Sequence, residues 1–173
     1  MRSMIRTVFL ATTCSALSIV AKAQDKTLPP PPEQAILTLH AKGSQIYLCQ
    51  HTENSYQWIF IAPAARLFDD TGNEVATHGD GPIWNYQDSS SIQGVVLQKI
   101  PSPDAGSIPW LLLKAINPAR TGILTKVDFI RRSDTHGGIA PTTGCDADHV
   151  DANARVPYTA TYTLFPQAAP PAH

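Results

Sequence analysis

Short runs of apolar, β-branched and aromatic residues alternate with clusters of turn-forming residues along most of the chain. The alternation is clearest near the C-terminus, where threonines occupy one face of a run and the opposite face carries Tyr158, Ala160, Tyr162 and Leu164. A period of two residues indicates a strand that is buried on one side. The segments of strand character are residues 36–40, 45–49, 56–61, 65–68, 75–78, 83–87, 94–100, 110–116, 123–131 and 156–165.

Turn signals separate these segments, for example Asp-Asp-Thr-Gly-Asn at 69–73 and Gly-Asp-Gly-Pro at 79–82. No window of a dozen residues combines a 3.6-residue period with the caps of a long helix. The sequence therefore predicts one all-β domain of about nine or ten antiparallel strands, with few or no helices. Both a β-sandwich and a distorted β-barrel fit this spacing.

The N-terminus has the three parts of a secretory signal peptide. Arg2 and Arg6 form a basic start, an apolar run follows over residues 8–20, and Ala21-Lys22-Ala23 fits a cleavage site. The apolar run is shorter than the ~20 residues that cross a bilayer as a helix. We therefore expect cleavage after Ala23 and a secreted or periplasmic protein that does not span the membrane, although an uncut membrane anchor is the alternative.

The remaining chain divides by composition. We expect a proline-rich lead-in over 24–34, the β domain over 35–165 and a flexible tail over 166–173. Loss of the signal peptide removes three cations and no acid, which changes the net charge from −1 to −4. This balance argues against nucleic acid as a partner. A small molecule or a component of the cell envelope fits it, and the sequence leaves the oligomeric state open.

Two cysteines, Cys49 and Cys145, follow the predicted cleavage site. An even number of cysteines in an exported protein favours a disulfide, because oxidising compartments allow the bond to persist. Two free thiols are the alternative. Neither cysteine has an adjacent base that would activate it as a nucleophile.

No standard catalytic motif is present: the chain lacks a G-x-S-x-G elbow, a dinucleotide-binding glycine motif and a P-loop. This favours a non-catalytic protein, with no cofactor expected. His78 and Asp80 flank a glycine, and His136 precedes Gly137-Gly138, so these three residues are the weak candidates for a catalytic or metal site. They lack the close His pairs typical of metal sites and are otherwise interpreted as loop residues.

Aromatic rings at strand ends are the other candidate feature. Trp84 follows a turn and Trp110 begins a strand, so their rings can form a platform for a ligand, with His136 as a polar partner. Packing of these rings in the core is the alternative interpretation, and Trp58, between apolar neighbours, is expected there.

Several longer motifs are specific as a set: Trp58 to Ala65, Leu67 to Gly72, His78 to Trp84, Ile108 to Ala115 and Thr135 to Pro141. With the segments around Cys49, Cys145 and Val156, they make residues 35–165 resemble DUF3455, a family of exported bacterial and fungal proteins. The resemblance implies a single exported domain without a settled activity. The family usually has Asp-Gly-Ser where this chain has Asp88-Ser89-Ser90, so we expect a differently built hairpin there.

Together these features predict an exported, non-catalytic ligand-binding or envelope-associated module. The alternative is a small secreted hydrolase or metal-dependent enzyme that uses His78, Asp80 and His136.

Overall fold

The fold is an eight-stranded antiparallel barrel in a computed structural model that describes residues 34–116, 118 and 121–166. Each strand pairs with the next along the chain, and β8 pairs with β1 to close the barrel. The strands are β1 (Leu37–Thr52), β2 (Ser55–Phe68), β3 (Glu74–Gly79), β4 (Ile83–Tyr86), β5 (Ser91–Ile100), β6 (Trp110–Ile116), β7 (Phe129–Gly137) and β8 (Asn153–Phe165).

The prediction of an all-β fold is confirmed, and the barrel is the correct alternative. The strands number eight rather than nine or ten because two pairs of predicted segments are continuous. β1 passes through Gly43, where a side chain would begin only 2.2 Å from the Ala64 carbonyl oxygen of β2. β2 passes through Pro63, which is tolerated because pairing with β3 begins only at Ala65, so that β2 is an edge strand at the proline.

The prediction of a strand over 123–131 is wrong in its first half. A 3-10 helix occupies Ile123–Lys126, and β7 begins at Phe129. The Asp88 carboxylate accepts a hydrogen bond from the Ile123 N–H at 2.7 Å and thereby fixes the start of this helix. Leu124 is 1% exposed and packs in the core at the end of the barrel where β6 ends and β7 begins.

The interior has an aliphatic part and an aromatic, polar part. The inward face predicted for β8 is confirmed, since its alternate residues from Tyr158 to Leu164 are all buried. The aliphatic part is built from Leu39, Leu67, Ile92, Leu124, Ile130 and Leu164. The aromatic, polar part contains Gln45, His78, Trp84, Tyr158 and Tyr162, all of which are also buried.

The hairpin between β4 and β5 contains a serine in the left-handed conformation. Ser89 has a φ of 67°, and its N–H donates to the Tyr86 carbonyl at 3.0 Å. Non-glycine residues seldom adopt this conformation. The Asp88 carboxylate stabilises this turn by accepting hydrogen bonds from the Ser90 N–H and hydroxyl.

A disulfide between Cys49 and Cys145 joins β1 to the long connection between β7 and β8, as predicted. The two residues are 96 positions apart, with a Cα–Cα distance of 5.3 Å. Two further bonds fasten the same connection: Trp58 Nε1 donates to the Thr143 carbonyl at 2.9 Å, and the Tyr47 hydroxyl donates to the Gly138 carbonyl at 2.6 Å. The connection is therefore fixed to the barrel end at which β1 finishes.

The predicted signal peptide lies outside the described residues, as do the lead-in before Gln34 and the tail beyond Pro166. Among the residues that the structure describes, no helix has the length and apolar character needed to cross a membrane.

Candidate ligand-binding site in a gap of the barrel wall

The barrel wall has a gap above the short β3–β4 hairpin. β2 pairs with β3 only from Ala65 to Phe68, and β5 pairs with β4 only from Ser91 to Gln93. The first part of β2 and the last part of β5 consequently have no strand partner on their facing edges within the described part of the chain. The interior of the barrel is accessible between these two edges.

Two β-bulges shape the margins of this gap. In β2 the pairing register jumps from Ala62 to Phe60 and leaves Ile61 unpaired. In β5 it jumps from Val96 to Gln98 and leaves Leu97 unpaired. Bulges redirect side chains, and both extra residues are exposed, Ile61 by 47% and Leu97 by 56%.

A cavity of about 230 Å³ opens at this gap. Its outer margin, which we call the apolar rim, consists of Phe60, Ile61 and Val96, each about half exposed. Deeper walls come from Pro63, Leu111 and Leu113, and the inner end is lined by Gln45, His78, Trp84, Arg132 and Tyr162. The cavity is thus apolar outside and polar inside, as is common in small-molecule sites.

Two residues that line the cavity carry a buried donor with no acceptor among the described residues. Gln45 is 2% exposed and Trp84 is 1% exposed, yet Gln45 Nε2 and Trp84 Nε1 make no hydrogen bond. An unsatisfied buried polar group costs about 1–3 kcal/mol, and such groups are rare in native proteins. An acceptor that reached either donor would remove this cost.

His78 is a neutral, stacked ring in the same cavity. Its ring lies 4.0 Å from the Trp84 ring at an interplanar angle of 14°, and it meets Tyr162 edge-on at 5.2 Å. Nδ1 lies 3.0 Å from the Ile83 carbonyl oxygen, which can only accept, so Nδ1 carries the proton. Burial lowers the pKa of His78 to about 4, and the positive charge of Arg132 adds to this decrease. The hydrogen bond to the Ile83 carbonyl acts in the opposite direction but is outweighed. His78 is therefore uncharged at neutral pH.

Arg132 supplies the positive charge of the cavity. Its Nε and Nη2 donate to the Pro109 carbonyl oxygen at 3.1 and 2.8 Å. No carboxylate of the described residues forms an ion pair with it. The charge of Arg132 also acts on two buried tyrosines. Burial raises the pKa of the Tyr47 and Tyr158 hydroxyls, and the positive charge of Arg132 opposes this rise in both.

The structure brings three of the predicted site residues to one cavity. His78 and Trp84 lie at its inner end, and Asp80 lies at its margin, where it accepts a hydrogen bond from the Gly81 N–H at 2.7 Å. Trp110 and His136 do not line this cavity. His136 is on the outer surface, where Nδ1 is 2.8 Å from an Asp104 carboxylate oxygen.

The surroundings of His136 do not form a catalytic triad. The Ser107 hydroxyl donates to Asp104 at 2.7 Å and accepts from the Gly137 N–H at 2.8 Å, so it is not bonded to the histidine. In a triad the histidine would take the serine proton. Within residues 34–116, 118 and 121–166, no group of three or more His, Cys, Asp or Glu side chains is arranged to hold a metal ion.

Gln45 and Arg132 were missed as site residues from the sequence. The usable signal is strand periodicity, because Gln45 shares an inward face with Leu39 and Ala41, and Arg132 shares one with Ile130. A polar side chain at an inward position of a barrel strand indicates either a buried network or a site.

The chain matches a known protein family over most of its length. A family model described as "Protein of unknown function (DUF3455)" matches residues 30–166. No curated protein and no solved structure matches the chain.

Proposed function

Since the chain belongs to the DUF3455 family, whose description names no function, we propose its role from the site itself: it is an exported, non-catalytic module that binds a small ligand in the gap of the barrel wall. The observation that carries this proposal is a cavity with an apolar rim, lined by two residues whose buried donors, Gln45 Nε2 and Trp84 Nε1, have no acceptor among the described residues. A ligand that accepts these hydrogen bonds removes the cost of leaving them unsatisfied.

The volume of the cavity limits the ligand. About 230 Å³ is less than the roughly 300–1,000 Å³ of sites for drug-sized molecules. A short alkyl chain or a single ring is the appropriate size.

The enzymatic alternative has no comparable support. Within the described residues, no hydrogen bond joins His78 to Asp80, and His136 belongs to a separate cluster on the outer surface. Nucleophile, base and orienting group need mutual hydrogen bonds. The proposal therefore uses His78 as a wall of the cavity and not as a base.

Export is supported by the disulfide, because such bonds persist in oxidising compartments. The basic and apolar start of the chain and its Ala21-Lys22-Ala23 site support it from the sequence.

Two adjacent valines provide a test of the site. Val95 and Val96 are 47% and 50% exposed, but only Val96 lines the cavity. In a calorimetric screen of short-chain acids, alcohols and amines, Val96→Trp is expected to weaken binding at least about tenfold by filling the mouth of the cavity. Val95→Trp is expected to bind as the parent protein does. Equal binding by both variants would place the ligand elsewhere.

A further inference from the structure

We propose that the ligand is a short apolar carboxylate whose head group is held by Arg132, Gln45 and Trp84. This inference rests on the proposed function and adds the chemical class of the ligand.

The charge of the cavity favours an anion. Arg132 is permanently protonated, and within the described part of the chain it donates to the uncharged Pro109 carbonyl and to no carboxylate. Among the described residues, Asp80 is the one acidic residue that lines the cavity, and it is solvent-exposed and bonded to a backbone N–H. A partly buried cation without a counter-ion attracts a ligand of opposite charge.

Because Arg132 is the one cation among the described residues that line the cavity, it also limits the negative charge of the ligand to one. His78 is neutral and lends no second positive charge. None of the lysines that the structure describes lines the cavity. A dianion such as a phosphate monoester would therefore enter with one charge uncompensated, which is costly in a desolvated site.

The unpaired hydrogen-bond donors match a carboxylate. Gln45 Nε2 and Trp84 Nε1 both need an acceptor, and Arg132 has further N–H groups beyond the two given to Pro109. An ionised carboxylate is an acceptor with two oxygens and about four lone-pair sites. An alcohol offers one oxygen and also brings a donor. An ammonium brings only donors and repels Arg132.

The test compares octanoate, octanol and octylamine by isothermal titration calorimetry at pH 7.5. These probes share the apolar chain and differ in the head group. We expect octanoate to bind at least about tenfold more tightly than octanol, since a charged hydrogen bond is worth about 1.5–3 kcal/mol, and octylamine not to bind. If octanol binds as tightly as octanoate, the inference that the ligand is a carboxylate is wrong, and the proposal of a ligand-binding cavity is retained. Failure of all three to bind would overturn the proposed function and this inference with it.

Two variants that each lose one positive charge test whether Arg132 holds the head group of the ligand. Arg132→Met is expected to weaken octanoate binding about 10- to 100-fold and to weaken octanol binding much less, because the alcohol forms only an uncharged acceptor contact. Arg155→Met removes the same charge from an exposed position of β8 and is expected to bind octanoate normally. If Arg132→Met fails to fold, Arg132→Lys keeps the charge and is expected to retain the preference for octanoate over octanol. Equal losses in Arg132→Met and Arg155→Met would overturn the assignment.

Discussion

The two ends of the barrel share the alternation of inward and outward residues, but the side chains that fill their interiors differ. At the end that Leu124 closes, the interior is aliphatic, and the 3-10 helix fills the space between the strands. At the gapped end, the β3–β4 hairpin is short, and the inward positions carry Gln45, His78 and Trp84. The comparison teaches that one end is built for stability and that the other retains unsatisfied polar groups, which is typical of a site.

Removal of the disulfide is expected to have the largest effect, and it acts on the gapped end. The double variant Cys49→Ser/Cys145→Ser loses a cross-link that spans 96 residues. Chain-entropy arguments give a loss of up to about 4–5 kcal/mol for a loop of that order. The difference in the free energy of unfolding is measured by urea unfolding of the oxidised parent and of the double variant. Reduction of the parent with dithiothreitol serves as the control and should give the same loss of stability. Unequal losses would mean that the serine substitutions change stability by a route other than removal of the cross-link.

Acid is expected to weaken the gapped end through His78. Its pKa is about 4 in the folded protein and 6.5 as the ordinary value, so the unfolded chain binds the proton more readily between these pH values. The contribution to stability is complete above pH 6.5 and is lost as the pH falls toward 4, which amounts to about 3 kcal/mol.

Urea unfolding between pH 4 and pH 7 checks this expectation. The His78→Phe variant keeps the stacked ring and removes the titrating group, so its stability should fall less over that range. His149 acts in the opposite direction, since its bonded partner Asp146 raises its pKa, but it is present in both proteins and cancels in the difference. Parallel pH curves for the two proteins would contradict the role of His78.

The smallest expected effect is a gain. Gln45→Met replaces an unpaired buried donor by an apolar side chain of similar shape, so we expect stability to rise by about 1 kcal/mol. Octanoate binding is expected to weaken at the same time, because one donor to the head group is lost. Gln50→Met, at an exposed position of β1, is the matched control and should change stability by less than about 0.5 kcal/mol. A loss of stability in Gln45→Met would show that the amide is satisfied in solution.

The sequence predicted the elements better than their connections. Apolar alternation correctly gave the inward face of β8, and the cysteine count gave the disulfide, because both depend on local pattern or compartment. The predicted segments 56–61 and 65–68 form one strand that includes Pro63, since a proline ends a strand only where its N–H is needed for pairing.

The site was only partly predictable for a different reason. Trp84, His78 and Asp80 were candidates as residue types, but their common cavity depends on how far β2 and β5 extend beyond the β3–β4 hairpin. Register of this kind is set by long-range pairing and has no local signature. The inward direction of Arg132 was not predicted, because it follows from the phase of β7, which begins later than the alternation suggested.

The bulges at the margins of the gap have a consequence for self-association. Free strand edges are templates on which a second chain can add a strand and start a polymer. The edge of β2 is interrupted by the bulge at Ile61 and by Pro63, which has no N–H, and the edge of β5 is interrupted by the bulge at Leu97. Neither edge offers an unbroken ladder of hydrogen bonds. The irregularities that admit a small molecule to the interior thus also hinder edge-to-edge growth of fibrils.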